Sequence, residues 1–136
     1  MSDSALVLTL LIAWALLLLV LMEALRSYLV LTGRVRSNEF KPDNSNISPF
    51  MQRLARAHAN CVESLPVFGG LLVVALATGR SGATDALAPW LLGARIVQSS
   101  IHLASTSVVA VNARFTAFVV QMAIGVYWVT ALLAAR

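Results

Sequence analysis

The chain has 136 residues, of which 59% are hydrophobic and only 12% are charged. With a mean hydropathy of +0.81 it carries more apolar surface than a soluble domain of this size can hide, so lipid is the solvent the composition fits, with no stretch left over for a separate soluble domain. The net charge of +4 comes from arginines gathered near one loop, which argues against a nucleic-acid footprint.

No Gly-rich phosphate loop and no metal-ligand spacing of Cys and His occurs, and the single cysteine, Cys61, excludes an internal disulfide. Four apolar stretches, each near ~20 residues, would use nearly the whole sequence as membrane helices. The expected architecture is therefore an all-α integral membrane four-helix bundle, a single transmembrane domain over residues 1–136.

The first helix is expected over about residues 5–31. Its apolar run is too long for a signal-peptide core and is preceded by acidic rather than basic residues, so it reads as a retained span. Glu23 and Arg26, three apart, can pair near its end. Thr32-Gly33 closes the pattern, and a polar loop follows through Arg34, Arg36, Glu39, Lys41, Pro42 and Asp43. The second helix is expected over about 49–78, then a tight turn at Gly79-Arg80-Ser81-Gly82. The third is expected over about 85–105, with Thr84 as its N-cap, and the fourth over about 112–134, with 106–113 either loop or helix.

Arg34, Arg36, Lys41, Arg53 and Arg56 lie in or beside the first loop, while Arg80 and Arg136 fall on the opposite side. The positive-inside rule then places the first loop and the connection between helices 3 and 4 in the cytoplasm, with both termini on the other side. Arg36, Arg56 and Arg114, far apart in sequence, share one leaflet in that arrangement.

Polar residues inside the spans are the functional signal. Arg56, Asn60 and Glu63 are spaced i, i+4, i+7 and share one face of helix 2. Arg95, Ser99 and His102 repeat the spacing on helix 3, with Gln98 near the same stripe. Ionisable groups within a span face a bundle interior or a wet cavity and find partners, so Glu63 and Arg95 are expected to pair or share a network.

A blander reading is a polar seam that only fixes helix register. Taken singly, His102 reads as a core histidine, Ser99 as a hydroxyl bonding its own helix, and Cys61 as a small packing residue. Register needs one pair, however, and here Arg36, Asn60, Glu63, Arg95, Ser99, His102 and Arg114 can converge. Several arginines with one carboxylate and one amide suit a small peptide-like anion, because arginine holds carboxylates in bidentate fashion and stays charged.

The run Arg56-Ala57-His58-Ala59-Asn60-Cys61-Val62-Glu63-Ser64-Leu65-Pro66 resembles the signature of the MAPEG proteins, the membrane-associated proteins of eicosanoid and glutathione metabolism. That signature is roughly Arg-x-x-x-Asn-x-x-Glu-x-x-Pro, and Arg56, Asn60, Glu63 and Pro66 fill it. The Asn-Cys-x-Glu form is similar to the leukotriene-C synthase branch. Thr32-Gly33-Arg34-Val35-Arg36 is similar to the end of helix 1 in microsomal prostaglandin E synthase and glutathione transferases. Gly93-Ala94-Arg95 with His102 resembles the helix 3 pattern, and Arg114 falls near the start of helix 4. His102 stands where several members carry tyrosine, and Phe115 and Phe118 also replace hydroxyl-bearing residues of some members.

The resemblance implies a homotrimer with glutathione bound as co-substrate between subunits. Carried over, Arg36, Asn60, Glu63 and Arg114 hold glutathione, Arg56, Arg95, Ser99 and His102 complete the site, and Arg114 is the catalytic residue that stabilises the thiolate. The implied activity is a membrane-bound transferase or peroxidase acting on a lipophilic small-molecule substrate that arrives through membrane lipid. Two alternatives stay open: a small four-helix transporter that uses Glu63, and a MAPEG-fold lipid-binding protein without catalysis.

Overall fold

The triplet Thr-Gly-Arg occurs twice, and each copy ends a long helix. In a computed structural model, which describes residues 1–135, α1 spans Asp3–Leu31 and α2 spans Pro49–Ala77. Gly33 (φ 72°) and Gly79 (φ 68°) take the left-handed conformation that glycine adopts without steric cost. Arg34 N–H then reaches back to the Leu29 carbonyl at 3.0 Å, and Arg80 N–H to the Ala75 carbonyl at 2.7 Å. Both are Schellman ends, which satisfy carbonyls the helix itself leaves open.

A short 3-10 turn, Ser81–Ala83, leads to α3 (Ala88–Ala104) and α4 (Val108–Ala134). Arg136, counted above toward topology, lies outside the described residues. Two helix starts differ from expectation. Thr84 does not cap α3: its hydroxyl turns to the Ser81 carbonyl and to Ser4 Oγ, so the turn continues and α3 begins at Ala88. Ser107 caps α4 by accepting from Ala110 N–H, so that helix starts at Val108.

α1, α2 and α4 are each long and apolar enough to cross a membrane. α3 has 17 residues and spans about 26 Å at ~1.5 Å per residue. α1 packs on α2 and α3, while α4 packs on α3 and less closely on α2. The protein is an integral membrane helical bundle. Its outer surface carries large apolar side chains such as Leu16, Leu17, Val20 and Val126, which suits a lipid solvent.

Two apolar clusters fill the interior. One joins all four helices through Val7, Leu11, Phe68, Leu72, Leu91, Ile124 and Trp128. The other takes its buried members from α1 and α2, among them Leu18, Met22, Met51, Leu54 and Cys61. Between the two levels α3 and α4 place buried polar side chains instead: Arg95, Gln98, Ser99, His102 and Gln121. This change of chemistry along the bundle positions the site.

Candidate functional site

Asn60 sits at the centre of the polar level, on α2. Arg95 Nη1 donates to its Oδ1 at 2.5 Å, and Gln98 Nε2 donates to the same oxygen at 3.3 Å. Gln98 Oε1 in turn accepts from Gln121 Nε2 at 2.8 Å, which ties α4 to α3. Gln121 is fully buried, and its Nε2 also donates to the Ala117 carbonyl at 3.1 Å. Three helices therefore meet through one chain of side-chain hydrogen bonds.

The expected Glu63–Arg95 pair does not form. Arg95 is 3% exposed and turned toward Asn60, while Glu63, three residues further along α2, is exposed on the flank. The ion pairs found among the described residues are Arg26–Glu23 and Arg36–Glu39, so Glu63 has no cationic partner among them.

Glu63 opens instead onto a cleft of about 240 Å³ between α2 and α4, lined by Asn60, Glu63, Ser64, Val67, Phe68, Phe118 and Met122. Val67, Phe68 and Met122 continue into an apolar cavity of about 380 Å³ that runs on to Val129 and Thr130. The groove is thus polar at one end and apolar at the other. Pro66 lies within α2 and has no N–H to give, so the Val62 carbonyl beside Glu63 is left outside the helical ladder.

The other predicted residues fall in three places. His102 is buried, and Arg114 and Arg56 both lie within electrostatic reach of its ring. Arg56 is exposed and Arg114 half-buried. These three bring a basic cluster together at the end of the bundle where α2 begins and α3 ends. Arg53 reinforces that end, as its Nε donates to the Leu103 carbonyl at 2.8 Å. Arg36 stays apart, in the loop, with its side chain 85% exposed and 3.7 Å from Glu39.

Ser99 is buried away from the cleft. Its hydroxyl donates to the Arg95 carbonyl at 3.0 Å, the helix-backbone bond expected of it, and lies 3.2 Å from Cys61 Sγ. Cys61 packs as a small buried group, as its sequence position suggested.

Sequence reasoning did not single out Gln121. The available signal was an amide at i+7 from Arg114, in an otherwise apolar part of α4. Arg95 Nη2 and Gln121 Oε1 are buried without hydrogen-bond partners.

The arrangement can hold a small zwitterion. A carboxylate and an amide stand at one level, and cations stand one to two turns away. The adjoining apolar groove can take a lipophilic group.

No curated protein and no solved structure matches the chain. The model of the MAPEG family matches residues 4–134, essentially the whole chain, and this protein of four helices and a polar α2–α4 cleft belongs to that family.

Proposed function

We propose that the protein is a membrane-bound glutathione-dependent transferase or peroxidase acting on lipophilic electrophiles, as a homotrimer whose site is completed between subunits. The observation that carries this reading is the groove between α2 and α4, with Asn60 and Glu63 at one end and Phe68, Val67 and Met122 leading into apolar space at the other. Family membership supports it from a separate direction.

Glutathione offers an ammonium, two carboxylates, two peptide groups and a thiol. Glu63, exposed and in no ion pair among the described residues, suits the ammonium. Arg56 and Arg114 beside His102 suit the carboxylates and the thiolate, and Arg36, which stands apart from them within the chain, suits the site of a neighbouring subunit. A nearby guanidinium lowers a thiol pKa from about 8.5 and raises the thiolate fraction at neutral pH. Arg114 takes that role here.

In conjugation the thiolate sulfur bonds to the electrophilic carbon, the leaving group departs with its bonding electrons, and the thiol proton passes to water. Catalysis then rests on positioning and charge stabilisation, with no covalent enzyme intermediate. By the charge asymmetry of the loops, the polar end of the groove faces the cytoplasm.

The test is conjugation of glutathione to a generic aromatic electrophile by the purified protein, followed as product formation. Turnover is expected in the wild type and is lost in Arg114→Ala. No turnover together with no heat of binding at millimolar glutathione would remove the reading. Unchanged turnover in Arg114→Ala would remove the role of that residue.

A further inference from the structure

The hydrogen-bond chain through Asn60 has only one possible direction. A guanidinium has donors and no acceptor, so the Asn60 atom 2.5 Å from Arg95 Nη1 must be oxygen. The Gln98 atom that shares this oxygen, at 3.3 Å, must then be nitrogen. That leaves Gln98 Oε1 to face Gln121, whose Nε2 donates to it at 2.8 Å and to the Ala117 carbonyl at 3.1 Å. Each amide is oriented by the one before it, and the orientation starts at Arg95.

One consequence falls on the cleft. With Oδ1 occupied by two donors, the Asn60 amide has its Nδ2 left over, and among the described residues Nδ2 has no partner. Asn60 lines the cleft beside Glu63. The two side chains therefore present opposite chemistry to a ligand: Asn60 offers N–H donors and Glu63 offers acceptor oxygens.

We infer that Gln98 and Gln121 are positioning residues which, with Arg95, lock the Asn60 amide with Nδ2 toward the cleft, so that the ligand places a hydrogen-bond acceptor, a carboxylate or peptide carbonyl, at Asn60. The inference rests on the proposed glutathione site for its ligand and on the hydrogen-bond chain alone for its geometry. Gln121 touches no ligand; it acts through Gln98. Both are buried in the bundle, Gln121 at 0% and Gln98 at 5% exposure, so neither amide has water as an alternative partner.

The experiment compares glutathione affinity by isothermal titration in the wild type, Asn60→Ala, Asn60→Asp and Gln121→Met. Asn60→Asp keeps an oxygen for Arg95 and Gln98 but turns a second acceptor toward the ligand. It is expected to bind about tenfold more weakly than wild type and more weakly than Asn60→Ala, because two facing acceptors repel and stay unpaired. A purely structural asparagine predicts the reverse order, since the aspartate retains the contact to Arg95. Gln121→Met, close in volume, leaves the buried Gln98 oxygen unpaired and so lowers the melting temperature in detergent, and at a temperature where the variant stays folded it is expected to weaken glutathione several-fold. Equal affinity in Gln121→Met overturns the positioning role.

A second measurement separates the geometry from the ligand. In protein labelled with 15N-asparagine, the Asn60 side-chain NH2 signal is assigned by its loss in Asn60→Asp. Ready exchange of these protons with water in the ligand-free wild type is expected of an amide nitrogen open to the cleft. Protection from exchange overturns the inference whether or not glutathione binds, and absence of glutathione binding with ready exchange removes the proposed ligand alone.

Discussion

Asp85 Oδ1 accepts from both the backbone N–H of Ser4, at 2.8 Å, and the Ser4 hydroxyl, at 2.5 Å, across 81 residues of sequence. Thr84 Oγ1 lies 2.6 Å from the same hydroxyl, and Ser4 and Thr84 are both fully buried. The first turn of α1 leaves backbone N–H groups unsatisfied, and a carboxylate is a favourable partner there. This contact fastens the start of α1 to the turn before α3.

The side-chain hydrogen bond from Ser4, followed by the backbone one, holds the Asp85 carboxyl below the usual carboxylate range. A carboxylate with a depressed folded-state pKa contributes stability above its unfolded value, near ~3.9, and loses it as pH falls through the lower folded value. The clasp is therefore complete at neutral pH and weakens only in acid. Ser4→Ala is expected to cost about 1–3 kcal/mol, because it strips a donor from a charged acceptor. The loss should appear as a lower melting temperature in detergent at pH 7 and shrink toward pH 3. An equal loss at both pH values would show that the carboxylate is not involved.

A second clasp holds the first loop. Arg26 donates to Asn44 Oδ1 from Nε at 2.9 Å and from Nη2 at 2.6 Å, and Asn44 Nδ2 donates to the Met51 carbonyl at 3.0 Å. Asn44 is fully buried, with φ 55°, a left-handed conformation that asparagine tolerates better than most residues. Arg26→Lys keeps the charge but loses the forked geometry. It is expected to destabilise the fold by about 1–3 kcal/mol, whereas Glu23→Gln, at an exposed pair 3.3 Å from Arg26, should change stability by less than ~1 kcal/mol. Thermal unfolding of the two variants side by side checks the ranking.

These clasps mark the boundary of what the sequence made legible. The helices were legible because apolar runs and Thr-Gly breaks are local signals. The cleft wall was legible because Asn60 and Glu63 recur at helical spacing. Glu23 was visible as a partner for Arg26 at i, i+3, but Asn44, 18 residues away, was not, since its place depends on the folded loop.

The choice of partner for Arg95 was likewise beyond reach. Asn60 and Glu63 differ by about 60° around the helix and ~4.5 Å along it, and only the docking of α3 on α2 selects between them. Gln121 escaped for the same reason: a lone amide in an apolar helix announces a buried partner without naming it.

The groove itself depends on a close approach of α2 and α4. A Cβ added at Gly125 would lie 2.9 Å from Phe68 Cε1, nearer than side chains tolerate. Phe68 is 7% exposed and lines both parts of the groove, so it has little room to yield without changing the shape of the cleft. Gly125→Ala is expected to destabilise by about 1–3 kcal/mol through overpacking. Phe68→Leu in the same background should recover part of the loss by making room. A Gly125→Ala protein with an unchanged melting temperature would mean that the helices are free to separate.

Glu63 separates the enzyme reading from the transporter reading. It is exposed and forms no ion pair among the described residues, so its charge does not hold the helical bundle together. Glu63→Gln is expected to leave the helical content unchanged while weakening glutathione by about tenfold, the loss of one charge-assisted hydrogen bond to an ammonium. Arg114→Ala, in the basic cluster beside His102, should depress turnover more than affinity if its charge acts on the thiolate, so kcat and KM distinguish the two residues. A coupling carboxylate makes a different prediction: pH-driven flux in proteoliposomes, abolished by Glu63→Gln, with no glutathione binding in either protein. The guanidiniums of Arg56 and Arg114 weigh against a cation path here, because a positive field repels the ion that Glu63 would have to capture.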